Sequence, residues 1–196
     1  MQQITQKRPN KNRIRHSKIL GIALVLAVIF TNFGFKNEYA VFVVKNIAIL
    51  LIAAASLGRL YSTAFLGGFK GEKIIDSGIF SVCQNPLYLF SFIGVVGISL
   101  LSNNFVVMII APIGFLLIYL PLIKREQVFL TQKFGDEYKK YAKNTPLLIP
   151  NFRLYKCAPT IEVNSKAFLS GLKDAFVWFL AIPLFHLLEL AKSVIF

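Results

Sequence analysis

The sequence predicts an all-α protein, a polytopic membrane helical bundle of four or five transmembrane helices with a cytoplasmic amphipathic segment. First, 56% of the 196 residues are hydrophobic and the mean hydropathy is +0.62, which is more apolar than a soluble domain of this length requires. Second, long apolar runs alternate with short polar turns. Third, 22 Lys and Arg outnumber 9 Asp and Glu, and the basic residues flank the apolar runs. This layout favours the lipid bilayer as a partner and argues against nucleic acid.

Five apolar runs are candidates for helices that enter the bilayer, whose hydrocarbon core needs about 20 helical residues. Lys45 interrupts the second run and is expected to snorkel to the outer interface rather than to form an ion site. The last run is either a fifth span or a helix lying in the interface, and a span is preferred. The predicted helices are residues 19–35, 39–57, 87–101, 105–123 and 167–196.

These runs divide the chain into three parts. Residues 1–18 are a basic cytoplasmic tail that contains Pro9 and several Asn residues, and we expect it to be a disordered topogenic segment. Residues 19–166 form the membrane core, and residues 167–196 form a C-terminal hydrophobic helix.

The loops between the runs carry turn and helix-start signals. Residues 59–85 are predicted to form a glycine-punctuated loop, and Pro86 to begin the next helix, because proline is tolerated in the first turn. Gly94 and Gly97 are expected to let another helix approach closely. Gly135 is expected to break the amphipathic segment that follows the fourth run, so that a new short helix starts after it.

The distribution of Lys and Arg predicts the orientation in the membrane. The tail, the 58–86 loop and the 124–167 segment carry nearly all the basic residues, whereas the 36–38 and 102–104 turns carry only Lys36. Because basic loops stay in the cytoplasm, the N-terminus and both polar clusters are predicted to be cytoplasmic. The short chain and its Asn/Lys-rich composition point to a bacterial inner membrane.

The two cysteines argue against a disulfide framework and against a metal site. Cys83 and Cys157 both fall in segments predicted to be cytoplasmic, where thiols stay reduced. Neither has metal-ligand spacing, and with only two histidines no metal ligands are predicted.

Two polar elements flank the predicted hairpin of the third and fourth helices and carry a motif. Their order and the hairpin between them resemble the membrane methyltransferases of the isoprenylcysteine carboxyl methyltransferase type and the related phospholipid methyltransferases. The family pattern is Gly-x-Phe/Tyr-x-x-x-Arg-His-Pro-x-Tyr, a hairpin, and Glu-Glu-x-x-Leu-x-x-x-Phe-Gly-x-x-Tyr-x-x-Tyr, closing on a proline. The corresponding residues are Gly78-Ile79-Phe80, Gln84-Asn85-Pro86-Leu87-Tyr88, Glu126-Gln127-Val128-Phe129-Leu130, Phe134-Gly135-Asp136-Glu137-Tyr138, Tyr141 and Pro150.

This resemblance implies a cofactor and a site. It implies S-adenosylmethionine as methyl donor, bound at the cytoplasmic end of the bundle, and a lipophilic or membrane-associated acceptor with a carboxylate or amine. Glu126 is implied to face the amino group or sulfonium of the donor and, with Asn85, to be catalytic. The implied cofactor-binding residues are Gln84, Asn85, Pro86, Tyr88, Glu126 and Gln127.

Three positions depart from the family pattern. Gln84 replaces its Arg, Asn85 its His and Gln127 its second Glu. Gln84 cannot make the charged bidentate contact of an arginine, so a Gln84→Arg change is expected to tighten cofactor binding. Asn85 cannot act as a base, but a carboxylate or amine acceptor needs little proton chemistry.

Two other functions stay open at this point. The departures motivate a family member that has lost catalysis and acts in binding or assembly, and the scaffold is related to that of NADPH-dependent membrane reductases. Taken singly, Asn85-Pro86 is typical of a turn that starts a helix, and Glu126 of a solvated helix end. Their combination, in family order and on one predicted side, favours the methyltransferase.

Overall fold

Seven α-helices and one 3-10 helix form the part of the chain that the structure, a computed structural model, describes: residues 11–31, 33–66, 72–157 and 159–195. The helices are α1 Lys11–Phe30, α2 Glu38–Leu66, α3 Ile79–Val82, α4 Pro86–Leu101, α5 Phe105–Phe134, α6 Asp136–Asn144 and α7 Ser165–Ile195, with the 3-10 turn at Phe152–Leu154. The predicted all-α class is therefore confirmed.

Among the described residues, three helices are long and apolar enough to cross a membrane, namely α2, α5 and residues 165–191 of α7. Two shorter apolar helices, Ser17–Phe30 and Pro86–Leu101, correspond to the predicted first and third runs. The chain is thus a membrane helical bundle, as predicted, and its C-terminal run is one continuous helix of spanning length.

The centre of the bundle is α2, which packs against α4 and α7, while α5 packs against α4 and α1. Two glycines of α4 make these contacts close. A Cβ at Gly97 would lie 3.0 Å from the Ala48 carbonyl oxygen of α2, and one at Gly94 would overlap the Trp178 ring of α7. The predicted close approach at both glycines is confirmed, and it follows the small-residue packing of membrane helices.

The predicted loop over residues 59–85 was wrong at its beginning and near its end. Helix α2 continues through Gly58 and Arg59 to Leu66, and α3 forms a further turn. The Phe90 ring of α4 occupies the space that a Cβ at Gly58 would fill, so the glycine provides room for a neighbour inside the helix and does not end it. Residues 67–71, which include the predicted Gly-Gly turn, lie outside the described residues.

The predicted disorder of the basic tail was wrong for residues 11–18, which form the first two turns of α1. No glycine or proline occurs between Lys11 and Lys18, so the helix extends from the apolar run with little cost per residue. The remainder of the predicted tail, residues 1–10 with Pro9, lies outside the described residues.

Two turns meet at one end of the bundle, which we call the turn end. The Asn103 amide of the α4–α5 turn exchanges hydrogen bonds with the Phe35 backbone, and Phe105 N donates to the Phe33 carbonyl at 2.7 Å. Asn104 caps α5 by accepting from Val106 N at 3.0 Å. The opposite end, where α2 ends and α4 begins, is called the motif end.

Helix α5 carries the second motif element as far as Phe134. Gly135 follows in a left-handed conformation, with φ of 57°, and α6 starts at Asp136. A positive φ suits glycine, so the predicted break at Gly135 is confirmed. The break turns α6 back onto the motif end.

Candidate functional site

The turn before α4, residues 83–85, packs on a small hydrophobic core. Ile79, Val82 and Cys83 are buried against Phe65 at the end of α2. Burial raises the pKa of the Cys83 thiol to about 11, and the thiol donates to the Leu148 carbonyl at 3.2 Å. The first motif element is therefore a fixed turn on the bundle.

Gln84 has hydrogen bonds on both ends of its amide. Its Nε2 donates to the carbonyls of Ala142, at 3.1 Å, and Thr145. Its Oε1 accepts from Gln127 Nε2 at 3.1 Å and from the Tyr138 hydroxyl at 3.5 Å. The two glutamines that depart from the family pattern thus contact each other, and Gln84 joins α5 and α6 to the turn before α4.

Tyr88 and Glu126 form a second contact between α4 and α5. The Tyr88 hydroxyl donates to Glu126 Oε2 at 3.1 Å, and both side chains are half-buried. Tyr119 lies two turns before Glu126 on the same face of α5, and its ring centroid is 5.9 Å from that of Tyr88. Tyr119 also stacks on Phe115, with centroids 4.2 Å apart. A carboxylate therefore sits at the end of an aromatic column between the two helices.

Asn85 and Pro86 shape the start of α4. Pro86 is buried at the first helical position, where its missing N–H costs nothing. Asn85 precedes it, and its Nδ2 donates to the Leu147 carbonyl at 3.2 Å. The side chain that replaces the family's His thus contacts residues 145–157, which we call the 145–157 segment.

Arg59 of α2 fixes the first turn of α4. Its guanidinium donates to the Leu87 carbonyl at 3.4 Å and to the Ser91 hydroxyl, and on its other side to Asp174 Oδ2 of α7 at 3.2 Å. Its Nε is buried without a partner, and the guanidinium carbon lies 6.0 Å from the Trp178 ring centre. Three helices are therefore clamped beside the motif by one cation.

Tyr138 and Tyr141 of α6 close the motif end. Burial, and then the charge of Glu126, raises the pKa of Tyr138. Burial also raises the pKa of Tyr141, whose hydroxyl donates to the Phe80 carbonyl at 2.7 Å. Both phenols stay protonated at neutral pH, and both link α6 to the turn before α4.

A comparison with known families now identifies the chain. The phospholipid methyltransferase family profile matches residues 38–137, which is just over half of the sequence and contains the first motif element and the second as far as Glu137. The chain belongs to the phospholipid methyltransferase family. The matched region includes the Gln84–Gln127 and Tyr88–Glu126 contacts, so the family signature coincides with the site built above.

The relatives found in the comparison bear two kinds of name. The nickel-cobalt-cadmium resistance protein NccN of Alcaligenes xylosoxydans xylosoxydans is 26% identical, over 93% of this chain and 85% of that protein. The cobalt-zinc-cadmium resistance protein CzcN of Cupriavidus metallidurans is 25% identical, over 94% and 88%. The protein-S-isoprenylcysteine O-methyltransferase of Schizosaccharomyces pombe is 30% identical, over 41% and 34%. No solved structure matches.

The geometry divides the predicted site residues into two groups. Tyr88 and Glu126 are brought together, and Pro86 places Tyr88 on the first turn of α4. Gln84 and Gln127 hydrogen-bond to each other, and Asn85 hydrogen-bonds to the Leu147 carbonyl, so these three make positioning contacts with the protein. In the part of the chain that the structure describes, no three His, Cys, Asp or Glu side chains are grouped closely enough to hold a metal ion.

Tyr119 was missed in the sequence. Its signal was available, because Tyr119 precedes Glu126 by seven residues and so shares its helical face. It was overlooked because it lies inside an apolar run, where an aromatic residue usually faces lipid or packs in the core. Only the contact with Tyr88 distinguishes it.

The residues at the motif end fit S-adenosylmethionine, whose sulfonium and ammonium groups are cations. Glu126 offers a half-buried carboxylate, and the ring of Tyr88, whose hydroxyl donates to it, lies near the ring of Tyr119. Carboxylates and aromatic faces both attract cations, and more strongly where water is partly excluded.

Proposed function

We propose that this protein is an S-adenosylmethionine-dependent methyltransferase that acts on the carboxylate or amine of a lipophilic or membrane-associated acceptor. The observation that carries the proposal is the Tyr88–Glu126 hydrogen bond beside Tyr119, inside the region that matches the family. The sequence places these residues about 40 positions apart, and the helical hairpin joins them.

In this proposal the site residues have different roles in donor binding and methyl transfer. S-adenosylmethionine supplies a methyl group that its positive sulfur already activates. Glu126 and the two tyrosine rings hold the cationic part of the donor, while Gln84 and Gln127 keep the turn before α4 against α5. With an activated donor, alignment and exclusion of water are the main tasks of the protein. Asn85, which cannot take up a proton at neutral pH, is in keeping with a carboxylate acceptor, which needs no base, whereas the proton of an amine acceptor would have to leave to water or to another group.

We also propose that the motif end faces the cytoplasm of a bacterium, with the protein in the inner membrane. The Lys and Arg bias supports this orientation, because the 36–38 and 102–104 turns carry only Lys36 while the segments of the motif end are strongly basic. A cytosolic donor and a membrane-dissolved acceptor would then meet at one surface.

A second candidate is a binding or assembly protein without catalysis. It is favoured by the Gln84–Gln127 contact, because Gln84 is engaged by protein groups at both ends of its amide. It is also favoured by the names of the relatives that cover most of the chain, which refer to metal resistance.

The deciding experiment is calorimetric titration of the lipid-reconstituted protein with S-adenosylhomocysteine, with NADPH as comparator. We expect saturable binding of S-adenosylhomocysteine, a loss of at least about tenfold in affinity in Glu126→Ala, and partial retention in Glu126→Gln. The matched control is Glu137→Ala, since Glu137 is exposed on the neighbouring helix α6.

Each outcome selects one function. Binding that Glu126→Ala abolishes, followed by transfer of labelled methyl into a lipid extract, supports the methyltransferase. Absence of binding of either ligand, or binding without transfer to any lipid or carboxylate pool, supports the second candidate and contradicts the methyltransferase. Binding of NADPH alone would instead identify a reductase, and equal affinities for wild type and Glu126→Ala would remove Glu126 from the site.

A further inference from the structure

The 145–157 segment exposes large apolar side chains next to basic ones. Ile149 is 83% exposed and Phe152 is 70% exposed, and Arg153 and Lys156 beside them are also exposed. From residue 143 to residue 157 the sequence contains three basic residues and no acidic one. A patch of exposed apolar side chains bordered by basic ones is typical of a surface that contacts another protein or a membrane.

The position of the segment on the bundle indicates which partner. The Tyr155 hydroxyl lies 2.8 Å from that of Tyr61 on α2. Tyr61 continues an outward stripe of that helix with Leu50, 69% exposed, and Leu57, 64% exposed, at the helical spacings i, i+7 and i+11. Because α2 is long and apolar enough to span a membrane, its outward stripe faces lipid. Tyr155 therefore lies at the end of a lipid-facing stripe.

The segment is held in this position by backbone hydrogen bonds. Asn151 N donates to the Val82 carbonyl at 3.0 Å, Gly78 N donates to the Lys156 carbonyl at 2.6 Å, and Lys156 N donates to Ser81 Oγ at 2.9 Å. The exposed side chains are thus presented from a fixed backbone, which lowers the entropic cost of contact with a partner.

We infer that the 145–157 segment is an interfacial anchor that inserts Ile149 and Phe152 into the headgroup region of the leaflet at the motif end. Arg153 and Lys156 bind the anionic phosphates of that leaflet, and the Tyr61–Tyr155 pair lies at the depth where tyrosine is enriched in membrane proteins. The occupant is phospholipid, because the apolar, basic and lipid-facing observations meet in the same few residues.

The 145–157 segment also contacts the candidate functional site. Asn85 donates to the Leu147 carbonyl of this same segment, and Gln84 N donates to the Pro146 carbonyl at 2.9 Å. An anchor inserted at Ile149 therefore holds the turn before α4 at the level of the headgroups. The anchoring itself does not depend on methyl transfer and is tested separately from it.

Cys157 allows a direct measurement on the full chain. It is exposed at the end of the segment, whereas Cys83 is buried, and burial raises the pKa of the Cys83 thiol to about 11. A thiol-reactive environment-sensitive fluorophore applied near pH 7.5 should therefore label Cys157, because the thiolate is the reactive form. The labelled protein is placed in nanodiscs of phosphatidylcholine with and without phosphatidylglycerol.

The readout is the quenching of the probe by a lipid with a shallow spin label, compared with quenching by acrylamide in water. We expect strong lipid quenching and weak acrylamide quenching in the wild type. The Ile149→Ser/Phe152→Ser variant should reverse this order, with the inserted population falling by about tenfold or more. The control is Ile161→Ser, because Ile161 is exposed but lies beyond the segment.

A second variant tests the charges. Arg153→Glu/Lys156→Glu should lose the dependence on phosphatidylglycerol, since each basic residue near an anionic surface is worth about fivefold in partitioning. Unchanged quenching in both variants, or acrylamide access to the wild-type probe equal to that of a free peptide, would overturn the inference. Shielding from both quenchers would also overturn it, because it would mean that protein covers the segment.

Discussion

The Gln84–Gln127 contact predicts that two substitutions, each harmful alone, will be tolerated together. Gln84→Arg and Gln127→Glu each restore the residue of the family pattern at one position, and the double variant restores both. From the sequence, Gln84→Arg alone was expected to tighten cofactor binding. The structure changes this expectation, because Gln84 Oε1 is the acceptor for both Gln127 Nε2 and the Tyr138 hydroxyl.

The expected magnitudes follow from these bonds. Arginine has no acceptor, so Gln84→Arg removes two hydrogen bonds and leaves a cation opposite an amide, at a cost of about 2 kcal/mol. Gln127→Glu removes the donor of one bond and places a carboxylate against an amide oxygen, at about 1 kcal/mol or more. In the double variant a charged pair replaces the amide pair, and we expect a coupling energy of about 1–3 kcal/mol.

The assay is thermal unfolding of the four proteins in one detergent at one ionic strength. For a chain of this size, 1 kcal/mol corresponds to about 2–4 °C, so Gln84→Arg should lower the midpoint by about 4–8 °C and the double variant should recover most of that loss. Affinity for S-adenosylhomocysteine is measured in parallel. Strict additivity of the two shifts would refute the reasoning, and so would a more stable Gln84→Arg single variant with tighter binding.

Three further outcomes are expected. Gly58→Ala should lower the unfolding midpoint by several degrees because its Cβ would overlap a ring of α4, whereas Gly21→Ala, with open space around it, should not. Arg59→Lys should weaken S-adenosylhomocysteine binding as much as Arg59→Ala, because one ammonium cannot reach both the Leu87 carbonyl and Asp174 of α7. Full S-adenosylhomocysteine binding in either variant would exclude a role for Arg59 in joining the three helices at the site. Stability followed by fluorescence should fall as the pH rises from about 9 to about 11, since the buried Cys83 thiol keeps its proton longer than an unfolded one, and Cys83→Ala should lessen this decline.

The parts of the fold that were predictable depend on local signals. The hairpin of α4 and α5, the break at Gly135 and the close packing at Gly94 and Gly97 follow from hydrophobic runs and glycine placement. The continuation of α2 past Gly58 could not be predicted, because the reason is a ring on another helix. A glycine at the end of an apolar run is as typical of a helix stop as of a packing contact.

The sequence predicted where the candidate site lies, but not which contacts each of its residues makes. Motif order and the orientation rule placed the motif loop and the Glu126 region on one face, and in the structure Tyr88 of the first element contacts Glu126 of the second. The partners of Gln84 are the backbone carbonyls of residues 142 and 145, about 60 positions downstream, where the sequence shows only an irregular polar stretch. Backbone acceptors leave no trace in side-chain patterns, so a residue that binds them is easily mistaken for a ligand contact.

The contact between the two glutamines also bears on how the departures are interpreted. If an Arg at position 84 and a Glu at position 127 formed a pair and only one of them were replaced, the other would stay as a half-buried unpaired charge, which is strongly destabilising. Replacing both by glutamine keeps one hydrogen bond of 3.1 Å between α5 and the turn before α4 and removes both charges. The two glutamines fit together, and Glu126 and Tyr88 stay in contact beside them. The two glutamines therefore remove two charges from this place while they keep a hydrogen bond between α5 and the turn before α4.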